Sequence, residues 1–188
     1  MSELLEKLIA IAAEAAAIVS EVYRTPFRVD YKAPNDPVTE ADRRSNELIC
    51  RRLAEEFPGI PIVAEESAPQ SFADFRSSER VFFVDPVDGT NEFVAQNGEF
   101  VVMIGLLERD RAIAGVIQAP ELGQIWAGEA GAGAFQIDAQ GAREPIRPSS
   151  VTDLSQARVV SSRTHPSACR HSRAPHRLQR RLAPRACP

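Results

Sequence analysis

Two stretches in the first third of the chain carry apolar residues at helical spacing. In residues 3–23 apolar side chains recur every three or four positions with charged ones between them, which predicts an amphipathic helix. A second helix is predicted to begin after Thr39, because Thr39 followed by Asp42 is typical of a capping box. It should end near Phe57, before the Pro-Gly pair that follows.

Short apolar runs predict strands in the rest of the chain. Residues 28–32 predict a short strand, and residues 33–37, with two prolines, predict a loop. The run at 60–64 predicts another strand, and the run at 81–84 predicts a strand buried on both faces. Four more strands joined by short turns are predicted at 100–107, 112–119, 124–128 and 134–138. This order of helices and strands predicts a layered α+β fold.

The composition is that of an ordinary globular protein. The chain has 188 residues, of which 44% are hydrophobic and 26% charged, and this excludes wholesale disorder, collagen and a disulfide-rich scaffold. No apolar run approaches the roughly 18 residues of a membrane-spanning helix. The acidic N-terminus is unlike a secretory signal, and the three cysteines show no metal-binding spacing. We therefore expect a cytoplasmic protein.

The net charge of −4 conceals a change along the chain. Residues 161–188 contain seven arginines and no acidic residue, which leaves −11 on residues 1–160. We expect residues 1–160 to form the folded lobe and 161–188 to be a basic, disordered tail unrelated to the fold. A nucleic-acid-binding arm is the alternative, but the tail has no aromatic residue to stack on bases. We therefore expect no nucleic-acid partner, and the sequence leaves the oligomeric state open.

Acidic residues follow both of the predicted apolar strands in the middle of the chain. Glu65 follows one strand and Asp85 the other, and Asp88 comes three residues later across a predicted proline turn. Carboxylates that converge repel each other unless they are protonated or bridged by a cation. Oxygen ligands without histidine or cysteine favour Mg²⁺ or Mn²⁺. The Val87 carbonyl is a further candidate ligand of the same ion.

A candidate phosphate site comes directly after these carboxylates. Gly89 and Thr90 are predicted to begin a short helix, whose free N–H groups and dipole suit a phosphate group. A divalent metal beside such a site suits phosphate ester hydrolysis. The plainer alternative is an Asp-Gly turn with solvated acidic residues. Phosphatases of the haloacid dehalogenase type also place aspartates after a strand, but with one residue between them, whereas two separate Asp85 from Asp88.

Three motifs together resemble the inositol monophosphatase superfamily of Mg²⁺-dependent, lithium-sensitive phosphatases: Asp36–Asp42, Ala64–Ser67 and Asp85–Thr90. Three further segments are similar to its bacterial 3'(2'),5'-bisphosphate nucleotidases: Asn91–Phe93, Asn97–Phe100 and Gly115–Pro120. Asn91 departs from a lysine common in that branch and leans toward the inositol phosphatases.

The resemblance implies a sugar-phosphatase fold with two or more Mg²⁺ ions in the site and inhibition by Li⁺. It implies a small phosphate ester as substrate, with hydrolysis of adenosine 3',5'-bisphosphate to AMP and phosphate as the expected reaction. An inositol or other sugar phosphatase is the alternative within the superfamily.

The resemblance also implies roles for single residues. Metal would be held by Glu65, Asp85, Asp88 and the Val87 carbonyl, with Glu66 near a further ion. Asp36 with Thr90 would orient and help to deprotonate the attacking water, whereas Asp42 is expected to be a structural cap. The substrate would contact Glu65, Val87, Asp88, Gly89, Thr90 and Asn91, with its phosphate on the Gly89 and Thr90 N–H groups.

The resemblance covers about residues 1–165, and superfamily members continue into a second lobe with a Trp-Asp motif. The single tryptophan here, Trp126, is followed by Ala127 and lies in a predicted strand. We therefore expect the N-terminal lobe only, with the C-terminal lobe missing and the activity weakened or lost. A non-catalytic Mg²⁺-binding fragment is the alternative of another class.

Overall fold

The computed structural model describes residues 2–34, 36–67, 75 and 77–158 of the chain. It divides into two compact units, residues 1–147 and residues 148–188. In the second unit, the described part contains one short 3₁₀ turn, Leu154–Gln156, in which the Ser155 N–H donates to Asp153 Oδ1 at 2.8 Å. The predicted tail, residues 161–188, lies outside the described residues.

Both predicted helices are confirmed, and each begins at a capping side chain. Helix α1 spans Glu3–Tyr23, and the hydroxyl of Ser2 accepts a hydrogen bond from the Leu5 N–H at 3.1 Å. Helix α2 spans Glu40–Glu56 and begins with the predicted capping box of Thr39. No helix in the described part of the chain is both long and apolar enough to cross a membrane.

A two-stranded antiparallel ribbon connects the two helices. It consists of β1, Val29–Ala33, and β2, Asp36–Thr39. The prediction of a loop over residues 33–37 is therefore wrong at both ends, since Ala33 belongs to β1 and pairs with Asp36, and Pro37 of β2 pairs with Tyr31. Proline is tolerated there because each strand of a two-stranded ribbon has a free edge, which needs no N–H donor.

The remaining strands form one seven-stranded sheet in sequence order, in which β3 and β4 are parallel and all other neighbours antiparallel. Its strands are β3 Ile62–Ala64, β4 Arg80–Asp88, β5 Val101–Glu108, β6 Arg111–Ala119, β7 Gln124–Glu129, β8 Gly133–Ile137 and β9 Arg143–Ile146. A short helix, α3, spans Thr90–Val94 between β4 and β5. The predicted layered α+β fold and its meander are confirmed, and β9 is an additional edge strand.

Helices α1 and α2 pack against one face of this sheet and form the hydrophobic core with it. Alternate residues of β5, such as Val102, Ile104 and Leu106, are almost fully buried on this face. Two groups of aromatic contacts add to this core. Phe57 packs on Phe82 with ring centroids 5.3 Å apart, and Tyr23 lies with Phe93 and Phe100 at 4.8–5.1 Å.

The opposite face of the sheet is open in the described part of the chain. Phe83 and Ile117 on this face are 38% and 37% exposed, so the prediction that residues 81–84 are buried on both sides is wrong. Three glycines lie side by side in the register of β5, β6 and β7, namely Gly105, Gly115 and Gly128. Together with larger neighbours such as Trp126 they line a groove of about 720 Å³, which we call the open-face groove.

Candidate functional site

The parallel pairing of β3 with β4 brings two carboxylates together. Ala64 lies beside Val84, and the Glu65 N–H extends the ladder by donating to the Val84 carbonyl at 3.1 Å. The next residues, Glu65 and Asp85, therefore lie side by side, and their carboxyl groups are within hydrogen-bonding reach of each other. The sequence had predicted this meeting from the position of each acid at the end of an apolar strand.

Asp85 is the most perturbed of these acids. Burial raises the pKa of its carboxyl group to about 7, and the negative charges of Glu65 and Asp88 add to the shift. A hydrogen bond from the Val87 N–H to Asp85 Oδ1, at 3.1 Å, opposes it. Because of this repulsion, the cluster of Glu65, Asp85 and Asp88 favours the binding of a proton or a cation.

The segment from Asp85 to Asp88 is part of β4 rather than a turn. Strand β4 continues to Asp88, and the pairing with β5 shifts register between Asp85 and Asp88. The predicted proline turn is therefore wrong, since a β-bulge changes the direction of the side chains instead. Pro86 is buried in this bulge, and its carbonyl accepts a hydrogen bond from the Ser45 hydroxyl of α2 at 3.3 Å.

Gly89 makes the sharp change from β4 to α3. Its φ is +97°, in the left-handed region that glycine adopts at low cost. A Cβ atom there would also lie 2.9 Å from the backbone oxygen of Glu99. Helix α3 has only five residues, so its first turn offers N–H groups but little dipole.

Thr90 contacts Asp42 and not the residue that the sequence had paired with it. The Thr90 hydroxyl lies 3.2 Å from Asp42 Oδ1 and 3.1 Å from the Val87 carbonyl oxygen. Asp36, by contrast, is exposed at the start of β2, where its Oδ1 lies 3.8 Å from Lys32 Nζ. Asp36 is therefore not among the hydrogen-bond partners of Thr90, and the role expected of these two residues in activating water stays a prediction.

Asp42 is both a helix cap and a member of the site. It is 2% exposed, and its Oδ2 accepts from the Thr39 N–H at 2.8 Å and from the Thr39 hydroxyl at 2.6 Å. Its other oxygen faces Thr90. Burial raises the pKa of Asp42, although these hydrogen bonds oppose the shift. The sequence analysis assigned Asp42 only the role of a cap. Its second role could have been suspected, because the cap uses one carboxylate oxygen and leaves the other for a second partner.

Lys32 of β1 places a positive charge among the acids. Its Nζ lies 2.7 Å from Glu66 Oε1 and 3.0 Å from Glu65 Oε1. Burial disfavours the charge, but the hydrogen bonds to Glu66 and Glu65 raise the pKa of the Lys32 ammonium overall. Nothing in the motifs had pointed to this residue.

The donor chemistry of the site fits a hard divalent cation. Carboxylate oxygens of Glu65, Asp85 and Asp88, with the Val87 carbonyl nearby, are the ligands that Mg²⁺ prefers. Among the described residues, however, no three or more His, Cys, Asp or Glu side chains are already arranged to hold an ion. The metal roles, including that of Glu66, and the substrate role of the exposed Asn91 stay predictions.

The sequence matches the family model described as "Inositol monophosphatase family" over residues 1–185. The chain belongs to the inositol monophosphatase family. The match includes most of segment 161–188. Because this segment lies outside the described residues, its disorder stays a prediction.

Curated relatives of this family member include the 3'(2'),5'-bisphosphate nucleotidase CysQ of Escherichia coli O6:H1, which is 34% identical over 175 residues. That match covers 88% of this chain and 65% of the relative, so the chain spans about two thirds of the relative's length.

Solved structures of the family share the fold. CysQ from Bacteroides thetaiotaomicron has a TM-score of 0.62 and 32% identity, and covers 71% of this chain and 48% of its own. The Thermotoga maritima IMPase has a TM-score of 0.69 and 28% identity, with coverages of 82% and 57%. The α+β layered fold of this chain therefore corresponds to roughly half of each of these structures.

Proposed function

We propose that this chain carries the catalytic carboxylates of a Mg²⁺-dependent phosphomonoesterase whose substrate is adenosine 3',5'-bisphosphate. The observation that carries the proposal is that Glu65 and Asp88 act electrostatically on Asp85, while Thr90, two residues after Asp88, bonds Asp42. Metal-binding acids and a polarised hydroxyl in one place are what ester hydrolysis by water requires. The similarity to CysQ nucleotidases supports the choice of substrate.

Glu65, Asp85, Asp88 and the Val87 carbonyl would hold the metal, with Glu66 beside a second ion. When bound, Mg²⁺ lowers the pKa of a coordinated water and neutralises charge on the phosphoryl oxygens. The protein contributes the arrangement of the acids, since the register shift in β4 lies between Asp85 and Asp88, and a bulge re-aims the side chains beside it.

Thr90 and Asp42 provide a path for the proton of the attacking water. The single proton of the Thr90 hydroxyl can be donated to Asp42 Oδ1 or to the Val87 carbonyl, which leaves the oxygen lone pairs to accept a proton from water. The raised pKa of the buried Asp42 favours its taking the Thr90 proton in turn. The water oxygen would then bond to phosphorus as the bond from phosphorus to the ribose 3'-oxygen breaks; that oxygen keeps the electron pair and takes a proton from solvent water, and the proton held by Asp42 is later released to solvent.

The phosphate group would lie at the start of α3. The backbone N–H groups of Gly89 and Thr90 belong to a first helical turn, where such groups have no partner within the helix. The contact of 2.9 Å that a Cβ on Gly89 would make shows how tightly this backbone is held against the Glu99 carbonyl. Such fixed donors suit the phosphoryl oxygens, whose negative charge grows as the reaction proceeds.

A second candidate function is the hydrolysis of an inositol or other sugar phosphate. Asn91 favours it, because the nucleotidase branch commonly has lysine at this position. The solved relatives with similar folds include the Thermotoga maritima IMPase as well as CysQ.

Side-by-side assays of phosphate release test both candidates. Purified protein is given adenosine 3',5'-bisphosphate or inositol 1-phosphate, with Mg²⁺ or with EDTA. We expect Mg²⁺-dependent release from the nucleotide, and preferential release from inositol phosphate would favour the second candidate. Mg²⁺ binding without turnover of either substrate would overturn the catalytic proposal in favour of a metal-binding fragment.

A matched pair of threonine variants tests the role of the hydroxyl. Thr90→Val should reduce turnover by about a hundredfold, in the range expected for loss of a positioned proton acceptor. Thr25→Val removes a hydroxyl that bonds the Val22 carbonyl at 3.0 Å at the end of α1, and should leave turnover unchanged. Equal effects of the two substitutions would show that Thr90 acts only through stability.

A further inference from the structure

Lys32 lies among carboxylates that include proposed ligands of the metal ion. Its Nζ lies 2.7 Å from Glu66 Oε1, 3.0 Å from Glu65 Oε1 and 3.8 Å from Asp36 Oδ1. The Lys32 side chain is 31% exposed, so its ammonium group is partly withdrawn from water into this acidic surround. Because Glu65 is also the hydrogen-bonding neighbour of Asp85, Lys32 acts on an oxygen donor of the proposed metal site.

Glu66 shows how strongly the lysine is needed in this arrangement. Its side chain is only 8% exposed, and Lys32 is the cation in contact with it. A carboxylate with so little access to water requires a positive charge nearby, because burial of an unpaired charge is unfavourable. Removal of Lys32 from this position therefore requires another cation to take its place.

One lysine cannot balance the whole cluster. Its single charge faces Glu65, Glu66 and Asp36, while the negative charges of Glu65 and Asp88 also act on Asp85. A divalent ion would satisfy more of this negative charge, and Mg²⁺ requires its oxygens at about 2.0–2.1 Å in octahedral positions. An ammonium group hydrogen-bonded to Glu65 and Glu66 would compete for these carboxylate oxygens and would repel a second cation.

We propose that Lys32 is a built-in competitor of the divalent ion, which holds the Glu65 and Glu66 carboxylates until metal entry displaces its ammonium group. This inference rests on the metal site of the proposed function. The hydrogen bond of 3.0 Å from Lys32 Nζ to Glu65 Oε1 ties this carboxylate to β1. Metal affinity is then set by a lysine that would not itself be a ligand.

The unmodified chain offers an unusually clean test, because it contains only two lysines, Lys7 and Lys32. Their side chains are 34% and 31% exposed, and each bonds two glutamates, Glu3 and Glu56 in the case of Lys7. The protein is acetylated with an N-hydroxysuccinimide ester, with and without saturating Mg²⁺ at matched ionic strength, and each site is quantified by mass spectrometry. We expect Mg²⁺ to increase the acetylation rate of Lys32 by about threefold or more, since release from an ion pair frees the amine. The rate at Lys7 should not change.

Variants supply the second measurement. By isothermal titration calorimetry, Lys32→Met should bind Mg²⁺ about tenfold more tightly than the unchanged protein, whereas Lys32→Arg should bind with similar or lower affinity. The matched control is Arg43→Met, which removes an equal charge that lies 2.8 Å from Asp30 in the same ribbon. It should alter the affinity less than twofold.

The outcomes separate this inference from the function on which it rests. Absence of Mg²⁺ binding by the unchanged protein would remove the metal site itself and the inference with it. Binding that leaves Lys32 acetylation unchanged or reduced would show that the lysine stays in place, and would overturn the competition while leaving the metal site intact. Weaker binding by Lys32→Met would lead to the same conclusion.

Discussion

Asp85 is the residue whose surroundings conflict most with its charge. In the unfolded chain its carboxyl group ionises near the ordinary value, whereas burial and the neighbouring Glu65 and Asp88 raise its pKa in the folded protein to about 7. Between these two values the folded state binds more protons than the unfolded state, so the free energy of unfolding falls as the pH rises. Without metal, the Asp85 carboxyl group should therefore destabilise the folded protein less at pH 5 than at pH 8.

The first prediction follows from this sign. In EDTA, Asp85→Asn should increase the free energy of unfolding by about 1–2 kcal/mol at pH 8. This is less than the full pKa shift would give, because water screens part of this carboxyl group. At pH 5, which lies between the unfolded and folded pKa values, the increase should be clearly smaller, because the folded carboxyl group is protonated and only the ionisation of the unfolded chain still counts against folding. Urea unfolding at the two pH values measures both. Equal effects at pH 5 and pH 8 would contradict the assignment of the charge to Asp85.

The second prediction concerns the backbone at Gly89. Gly89→Ala should reduce the free energy of unfolding by about 2 kcal/mol or more, because alanine is strained at φ +97° and its Cβ would meet the Glu99 carbonyl. Gly59→Ala is the control, since Gly59 has φ +85° but no atom within 4 Å of the added Cβ. It should cost only about 1 kcal/mol. Thermal melts of the pair decide whether the close approach at Gly89 adds to the strain.

At the level of single residues, the sequence could predict only part of the site. Glu65 and Asp85 could be predicted because each follows an apolar strand, and the strand ends of one sheet meet. The partners of Thr90 and of the two glutamates could not be predicted. Asp42 already had a complete local explanation as a cap, and Lys32 reaches Glu65 through packing of the ribbon, 33 residues away in sequence.

At the level of the elements, the sequence predicted strand β4 too short. Apolar residues stop at Val84, so the prediction ended there, but pairing with β5 carries the strand on to Asp88 through a bulge. Backbone pairing does not require an apolar side chain, and proline within a bulge loses no ladder bond. Strand β9 was missed for a related reason, since all four of its residues are exposed and show no alternation.

The third prediction concerns the N-terminus of α2. Thr39→Ala should reduce the free energy of unfolding by about 2 kcal/mol, the upper end for a lost cap, because Thr39 is fully buried and binds Asp42. Ser2→Ala, at the more exposed start of α1, should cost about 0.5–1 kcal/mol. Thr39→Ser should recover most of the loss. Denaturant titrations of the three variants test whether the buried cap outweighs the exposed one.

For the molecule as a whole, the main asymmetry is between the two faces of the seven-stranded sheet. The face toward α1 and α2 is sealed by residues such as Phe82 and Leu106, whereas the other carries the open-face groove. The sequence could predict the layers but not this asymmetry, because Phe83 and Phe82 are equally apolar. Only the position of the helices decides which of the two is covered.

The fourth prediction is that the open-face groove binds apolar dyes. The fluorescence of 8-anilinonaphthalene-1-sulfonate should rise in the presence of the folded protein, because the groove of about 720 Å³ is lined mainly by apolar residues. Phe83→Ser should reduce the rise by about half or more, while Tyr31→Ser, which removes a 65% exposed aromatic ring from the ribbon, should leave it unchanged. An equal reduction by both variants would place the dye elsewhere.

The glycine row in this groove has a consequence for how the sheet could be altered. A Cβ added to Gly105 would meet nothing within 4 Å, and one added to Gly115 would meet only a backbone oxygen at 3.6 Å. Strand register is fixed from the helical side by residues such as Ile104 and Val116. Gly105 and Gly115 could therefore take β-branched side chains, which would stiffen the strands and reshape the cleft without sliding one strand past another. A new binding site could thus be engineered on the open face of the sheet, while packing of the opposite face against α1 and α2 maintains the fold.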